Sequence, residues 1–252
     1  MHNPKHILIT GASSGLGAAL ALIYAAPGVC LSLHGRNADR LAQVAAQVRQ
    51  RGAECVTHVG DVADEQDMHV WIQERDAAVA IDLIFANAGI SLGTSSGGES
   101  ADHAKAIFAT NVTGVLNTIH PLLPRMKQRR QGQVAIISSL AGFRGFQGAA
   151  AYCASKAAVR VYGEGLRAEM APHNVEVTVV CPGFIETPMT DVNPFPMPLL
   201  MSPERAAQII RRDLSVNRAR IAFPWRMYAL VRLLAALPQP VIDFISVRMP
   251  RK

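Results

Sequence analysis

The sequence predicts a doubly wound α/β domain, a parallel seven-stranded sheet with helices on both faces. Three observations predict it. Seven short runs of β-branched and apolar residues recur along the chain. Segments with helical spacing lie between them, as at Leu41, Val44, Ala45 and Val48. The runs are continuous rather than alternating, the pattern of strands buried on both faces. Strand–helix alternation winds such runs into one sheet through right-handed crossovers. The strand C-termini then share an edge, which is where a ligand binds.

The first strand, HILIT (6–10), runs into Thr10-Gly11-Ala12-Ser13-Ser14-Gly15-Leu16-Gly17. Glycines here allow a tight turn and a close backbone approach, and the following helix N-terminus offers free N–H groups to an anion. The second strand, VCLSLH (29–34), leads to Gly35-Arg36-Asn37. The third, ECVTHV (54–59), is followed by Gly60-Asp61-Val62, and the fourth, IDLIFA (81–86), by Asn87-Ala88-Gly89. A long helical segment from near Ala101 contains Asn111, which also reads as an ordinary helix-surface polar residue. The fifth strand, QVAIIS (133–138), precedes Ser139. The sixth, VEVTVV (175–180), precedes Pro182, Gly183, Ile185 and Thr187, and the seventh is RIAFP (220–224).

Composition bounds the reading. The chain has 252 residues, half of them apolar, which suits one domain. Residues 1–224 are expected to form its body, with a Pro- and Met-rich loop at 188–203. Residues 225–252 extend the same domain as a basic, apolar helical tail. No apolar run is long enough for a membrane span, and the N-terminal run is too short for a signal peptide. Cys30, Cys55, Cys153 and Cys181 match no zinc spacing and read as reduced thiols of a cytoplasmic protein. Nine Lys/Arg against two Asp/Glu fall between Arg211 and Lys252, so the body is near neutral and the C-terminal end is basic. That argues against a nucleic-acid surface spread over the whole domain.

In Ala151-Tyr152-Cys153-Ala154-Ser155-Lys156 a tyrosine precedes a lysine by one helical turn, so both leave the same face. An ammonium beside a phenol lowers the phenol pKa and equips it for proton transfer. The same spacing also occurs on ordinary helices as packing plus a solvated charge.

The glycine spacing G-x-x-x-G-x-G, with Gly60-Asp61-Val62, Asn87-Ala88-Gly89, Asn111, Ser138-Ser139, Tyr152-x-x-x-Lys156 and Pro182-Gly183 with Thr187 in this order, resembles the short-chain dehydrogenase/reductase family. The resemblance extends to about Pro224 and implies a Rossmann fold and an NAD(P)-dependent oxidoreductase. It implies a catalytic set of Asn111, Ser139, Tyr152 and Lys156. Ser139 would hydrogen-bond the substrate oxygen, chosen over Ser138 by family spacing. Tyr152 would be the general acid or base. Lys156 would lower the Tyr152 pKa and hold the nicotinamide ribose, and Asn111 would hold a water behind Lys156. Gly11, Ser13, Ser14, Gly15, Leu16 and Gly17 would cradle the pyrophosphate, and Asp61 with Val62 would meet adenine. Asn87, Ala88 and Gly89 would form the cofactor floor. Pro182, Gly183, Ile185 and Thr187 would hold the carboxamide. The family often has a second asparagine where this chain has Ala86.

An NAD-preferring site places an acid at the second strand end. Gly35 stands there and Arg36 follows, which suits a 2′-phosphate and favours NADP over NAD. Arg36 also reads as a solvated charge at a helix start. Phe143, Phe146, Phe195, Met197, Leu199 and Leu200 suggest an apolar pocket for a hydrophobic carbonyl or alcohol. In the tail, Met227, Leu230, Val231 and Leu234, then Val241, Phe244 and Ile245, follow helical spacing among Arg226, Arg232, Arg248 and Arg251. This describes either an interfacial helix on an anionic membrane or packing in a homodimer or homotetramer. Two other functions stay open: a non-catalytic NAD(P)-binding regulator, and a membrane-associated scaffold.

Overall fold

A computed structural model describes residues 3–93, 98–191 and 196–246. Phe195, Arg248 and Arg251 lie outside them, as do the side chains of Phe244 and Ile245. Strands β1 (His6–Ile9), β2 (Cys30–Gly35), β3 (Glu54–Val59), β4 (Leu83–Ala86), β5 (Gly132–Ile137), β6 (Val175–Pro182) and β7 (Arg220–Phe223) coincide with the seven apolar runs. They form one parallel sheet in the order β3-β2-β1-β4-β5-β6-β7. The strand order reverses between β1 and β4, which opens a crevice above the strand ends there.

Helices α1 (Gly15–Tyr24), α2 (Ala38–Gln50) and α8 (Pro203–Ser215) bring residues to one face. Leu20, Leu41, Val48 and Ile210 pack there on Ile7, Ile9, Leu31 and Phe85. The other face carries α3 (Glu65–Ala78), α4 (Ala101–Phe108), α5 (Gly114–Ile119), α6 (Leu123–Arg129) and α7 (Ala150–Met170). Met68, Ile72, Ile119, Met126 and Leu166 pack there on Leu8, Ile84, Val134 and Val177. After β7 come α9 (Trp225–Ala236) and α10 (Gln239–Ser246).

Two local features position the site. The helical segment from Ala101 is not continuous: a π-helical turn, Ala109–Thr113, separates α4 from α5 and carries Asn111. Such turns wind one residue too many into a helix and are frequent at functional sites. The stretch after β6 is closed at its base by a bridge between Ile185 and Met201. The bridge fixes the stem of this stretch beside the strand ends.

Candidate active site

A cavity of about 1010 Å³ follows the C-terminal edge of the sheet. It brings together all the predicted site residues except Asn111 and Asp61.

At its floor, the Thr10 hydroxyl accepts from the backbone N–H groups of Asn87 and Ala88, at 3.1 and 3.2 Å. The Asn87 side-chain amide donates back to the carbonyls of Thr10 and Gly11. The ends of β1 and β4 are thereby laced together. Gly17 is tied to this arrangement, because a Cβ there would strike the Gly11 carbonyl oxygen. Helices α2, α3, α4 and α8 each receive a side-chain cap, from Asn37, Asp64, Ser100 and Ser202. The Ser14 N-cap of α1 makes no such bond. First-turn N–H groups without a side-chain cap, beside a glycine cradle, fit a bound pyrophosphate.

At the β2 end, Gly35, Arg36, Asn37 and Arg40 line the cavity. A Cβ on Gly35 would lie 3.2 Å from both Cβ and Oγ of Ser13, so the glycine loop packs where a longer side chain would stand. Arg36 lies 3.9 Å from Asp61, both well exposed. Asp61 also accepts from the Ala63 N–H, so it borders the cavity through Arg36 rather than lining it. The sequence reading missed Arg40. Its position one helical turn after Arg36 was the available signal.

At the β5 end the two serines separate by contact. The Ser138 hydroxyl is spent on the Lys156 carbonyl at 2.7 Å, while the Ser139 hydroxyl hydrogen-bonds the Tyr152 phenol. Lys156 is buried and donates from Nζ to the Ile137 carbonyl at 2.9 Å. The expectation that Lys156 lowers the Tyr152 pKa is not met in this arrangement. Burial dominates and pushes Tyr152 up to about 12, with the Ser139 hydrogen bond pulling the other way. Lys156 Nζ lies 6.0 Å from the phenol ring centre, and burial lowers its own pKa to about 8. Tyr152 is thus a protonated phenol at neutral pH, an acid facing the cavity.

Asn111 is fully buried behind this pair. Its carbonyl oxygen accepts from the Ile90 N–H at 2.8 Å, and its amide donates to the Ile90 carbonyl and the Ser155 hydroxyl. The buried amide clamps the chain after β4 onto α7, so it is not a helix-surface residue. A Cβ on Gly89 would lie 3.2 Å from both Asn111 Oδ1 and Lys156 Nζ, so this glycine admits both side chains.

The far end of the cavity is apolar. Leu140, Phe146, Phe184, Pro188, Met189, Pro196 and Pro198 line it. So do Met227, Leu230, Val231 and Leu234 of α9, which roofs this end. Phe143, Met197, Leu199 and Leu200 do not line it. Phe143 instead packs edge-on against Tyr228 with the Arg160 guanidinium over its ring, and Leu199 and Leu200 are exposed. The tail's apolar stripe was legible as helical, but its direction depended on where β7 ends, which spacing alone does not give. Among the described residues no group of three or more His, Cys, Asp or Glu is placed to hold a metal.

The family model for short chain dehydrogenase matches residues 5–194. An oxidoreductase of Myxococcus xanthus is 36% identical over 243 residues, covering 96% of each chain. A short-chain dehydrogenase from Sphingobium yanoikuyae, solved in complex with NADPH, superposes with a TM-score of 0.79. It is 25% identical over 93% of this chain and 96% of its own. A short chain dehydrogenase from Mycobacterium paratuberculosis bound to NAD gives the same TM-score at 25% identity, over 89% of this chain and 98% of its own. With its seven-stranded sheet, glycine loop and tyrosine–lysine pair on one crevice, the chain belongs to the short-chain dehydrogenase/reductase family, as an NAD(P)-binding oxidoreductase acting on CH–OH groups.

Proposed function

We propose that the protein is an NADPH-dependent reductase of an apolar carbonyl compound, running in reverse as an alcohol dehydrogenase. The observation that carries this reading is the Ser139–Tyr152 hydrogen bond at the boundary of the glycine cradle and the apolar chamber. A reduced nicotinamide bound here supplies the hydride to the carbonyl carbon. Tyr152 gives its proton to the carbonyl oxygen as the C–O bond becomes an alkoxide, and Ser139 donates a hydrogen bond to the same oxygen. Lys156 holds positive charge beneath the phenol and refills its proton. Asn111 keeps Gly89 and α7 in register so that the lysine reaches its place. A panel of apolar aldehydes and ketones, followed by NADPH absorbance, tests the reading. A non-catalytic regulator would need none of the Ser139–Tyr152–Lys156 set.

The preference for NADPH rests on Arg36 and Arg40, which line the cavity beside Gly35 with no acid at the strand end. A guanidinium suits a 2′-phosphate. Arg36→Ala with Arg40→Ala should weaken NADPH binding by about 1–3 kcal/mol per lost contact. NADH binding should change little. Titration of both cofactors by nicotinamide fluorescence measures this, and equal losses would remove the 2′-phosphate role.

The tail divides between two jobs. Its inner stripe roofs the cavity, while Trp225 and Leu233 are 71% and 61% exposed, flanked by the exposed Arg226 and Arg232. No acid lies between Trp225 and Ala236, so a symmetric pairing of this face would set like charges together. An anionic bilayer offers the complementary charge, and apolar substrates partition there. Among the described residues no helix is long and apolar enough to cross a membrane, so the contact is peripheral. Self-association, to a homodimer or homotetramer, is assigned instead to the α4–α7 face, where Phe108 and Val161 are exposed. Four free thiols suit the cytoplasm. Phosphatidylglycerol vesicles should sediment the protein at low salt and release it as salt rises. Trp225→Ser with Leu233→Ser should abolish sedimentation while leaving turnover intact. No sedimentation at low salt would remove the membrane role from this face.

A further inference from the structure

We infer that Glu99, which no motif singles out, is the positioning residue for Tyr152. The residue at the N-cap of α7 is Ala149, which supplies no side-chain cap. The first-turn N–H groups of a helix need partners, and positions two and three are the ones a cap normally takes. Here those positions are Ala151 and Tyr152. Both N–H groups donate to one carboxylate, that of Glu99: Ala151 to Oε2, and Tyr152 to Oε1 at 3.1 Å. The cap therefore comes from more than fifty residues upstream, in the segment between β4 and α4.

The placement is specific. Glu99 adjoins Ser100, whose hydroxyl caps α4 by accepting from the His103 N–H at 3.2 Å. One dipeptide thus closes two helix N-termini. Glu99 sits at the base of its loop, because a Cβ on Gly93 would lie 2.7 Å from the Gly98 carbonyl oxygen. The same β4–α4 segment begins with the cofactor-facing residues Asn87, Ala88 and Gly89. Further along, Asn111 reaches Ser155, whose hydroxyl donates to the Tyr152 carbonyl. Tyr152 is held at its N–H by Glu99 and at its carbonyl by Ser155. Its phenol, which faces the cavity, meets Ser139 in the geometry that this backbone sets. A full negative charge at this N-terminus also matches the positive end of the α7 dipole.

The inference rests on the proposed role of Tyr152, so the experiment has two arms. The first is amide hydrogen exchange on the full chain, followed over the peptide spanning residues 149–153. Glu99→Ala should speed exchange there at least about tenfold while leaving residues 163–170 unchanged. The second is turnover of 4-nitrobenzaldehyde with NADPH. Glu99→Ala should lower kcat about tenfold or more with KM within twofold, because the chamber that binds the aldehyde does not contain Glu99. Glu99→Gln should recover most of both losses, since its amide oxygen still accepts. Wild-type exchange at 149–153 in Glu99→Ala overturns the inference. So does faster exchange with unchanged kcat, which would make Glu99 a cap without a positioning role. Wild-type turnover by Tyr152→Phe would overturn the function proposed for the tyrosine, and the exchange arm would then decide the cap alone.

Discussion

Tyr152→Phe is expected to lower kcat by about 10²–10⁴-fold, the usual contribution of a positioned proton donor. NADPH binding should stay within a few-fold. The substitution keeps the ring and removes only the oxygen that Ser139 hydrogen-bonds. The measurement is steady-state reduction of an aldehyde with NADPH, alongside cofactor titration by fluorescence. Because burial holds the phenol pKa at about 12, the wild-type enzyme keeps its acid form throughout the neutral range. Reduction should therefore show no loss from phenol ionisation below about pH 9. A variant retaining most of its activity would remove Tyr152 from the chemistry.

Lys156→Met is expected to separate activity from stability. Turnover should fall by about 10²-fold or more, because the charge beneath the phenol and its proton supply disappear. Stability should rise. The unfolded lysine titrates near 10.5, and burial brings the folded value down to about 8. Between those values the unfolded state holds more protons, so wild-type stability increases as pH rises through that window. Below about pH 8 the buried ammonium keeps its full cost. Removing it should stabilise the protein at pH 7 by about 1–3 kcal/mol, after losing the bond to the Ile137 carbonyl. Urea unfolding at pH 7, 8.5 and 10 checks both points: the variant should start higher and lack the upward slope. A variant less stable than wild type at pH 7 would show that the lysine is held at no net cost.

The seven strands and the glycine loop at the cavity floor were legible because they rest on local signals. Apolar runs mark strands buried on both faces, and a glycine loop after the first run marks the crevice. Spacing favoured Ser139 over Ser138 without giving a reason; in the fold Ser138 is tied to Lys156 and Ser139 to Tyr152. The sign of the Tyr152 shift was not legible. Residue spacing reports which groups are neighbours, whereas the pKa depends on how much water burial removes. The π-helical turn at Asn111 and the roof formed by α9 were hidden for a similar reason. Both depend on packing between segments far apart in sequence, which periodicity within a segment does not encode. Glu99 carries no local pattern at all, because its partners are backbone N–H groups rather than side chains.

The contact between Gly35 and Ser13 sets a limit on how cofactor choice can be redesigned. Placing an aspartate at position 35 would add the acid that reads a ribose hydroxyl. Its Cβ, however, would arrive 3.2 Å from the Cβ of Ser13, which no rotation of the serine side chain can move. A give of a few tenths of an ångström is needed there, and the neighbour that must give belongs to the phosphate cradle itself. A one-letter swap would therefore set recognition of the ribose against the fit of the glycine loop on the pyrophosphate. Reducing position 13 to glycine alongside the new acid removes that contact, so the two sites constrain each other along an evolutionary or engineering path.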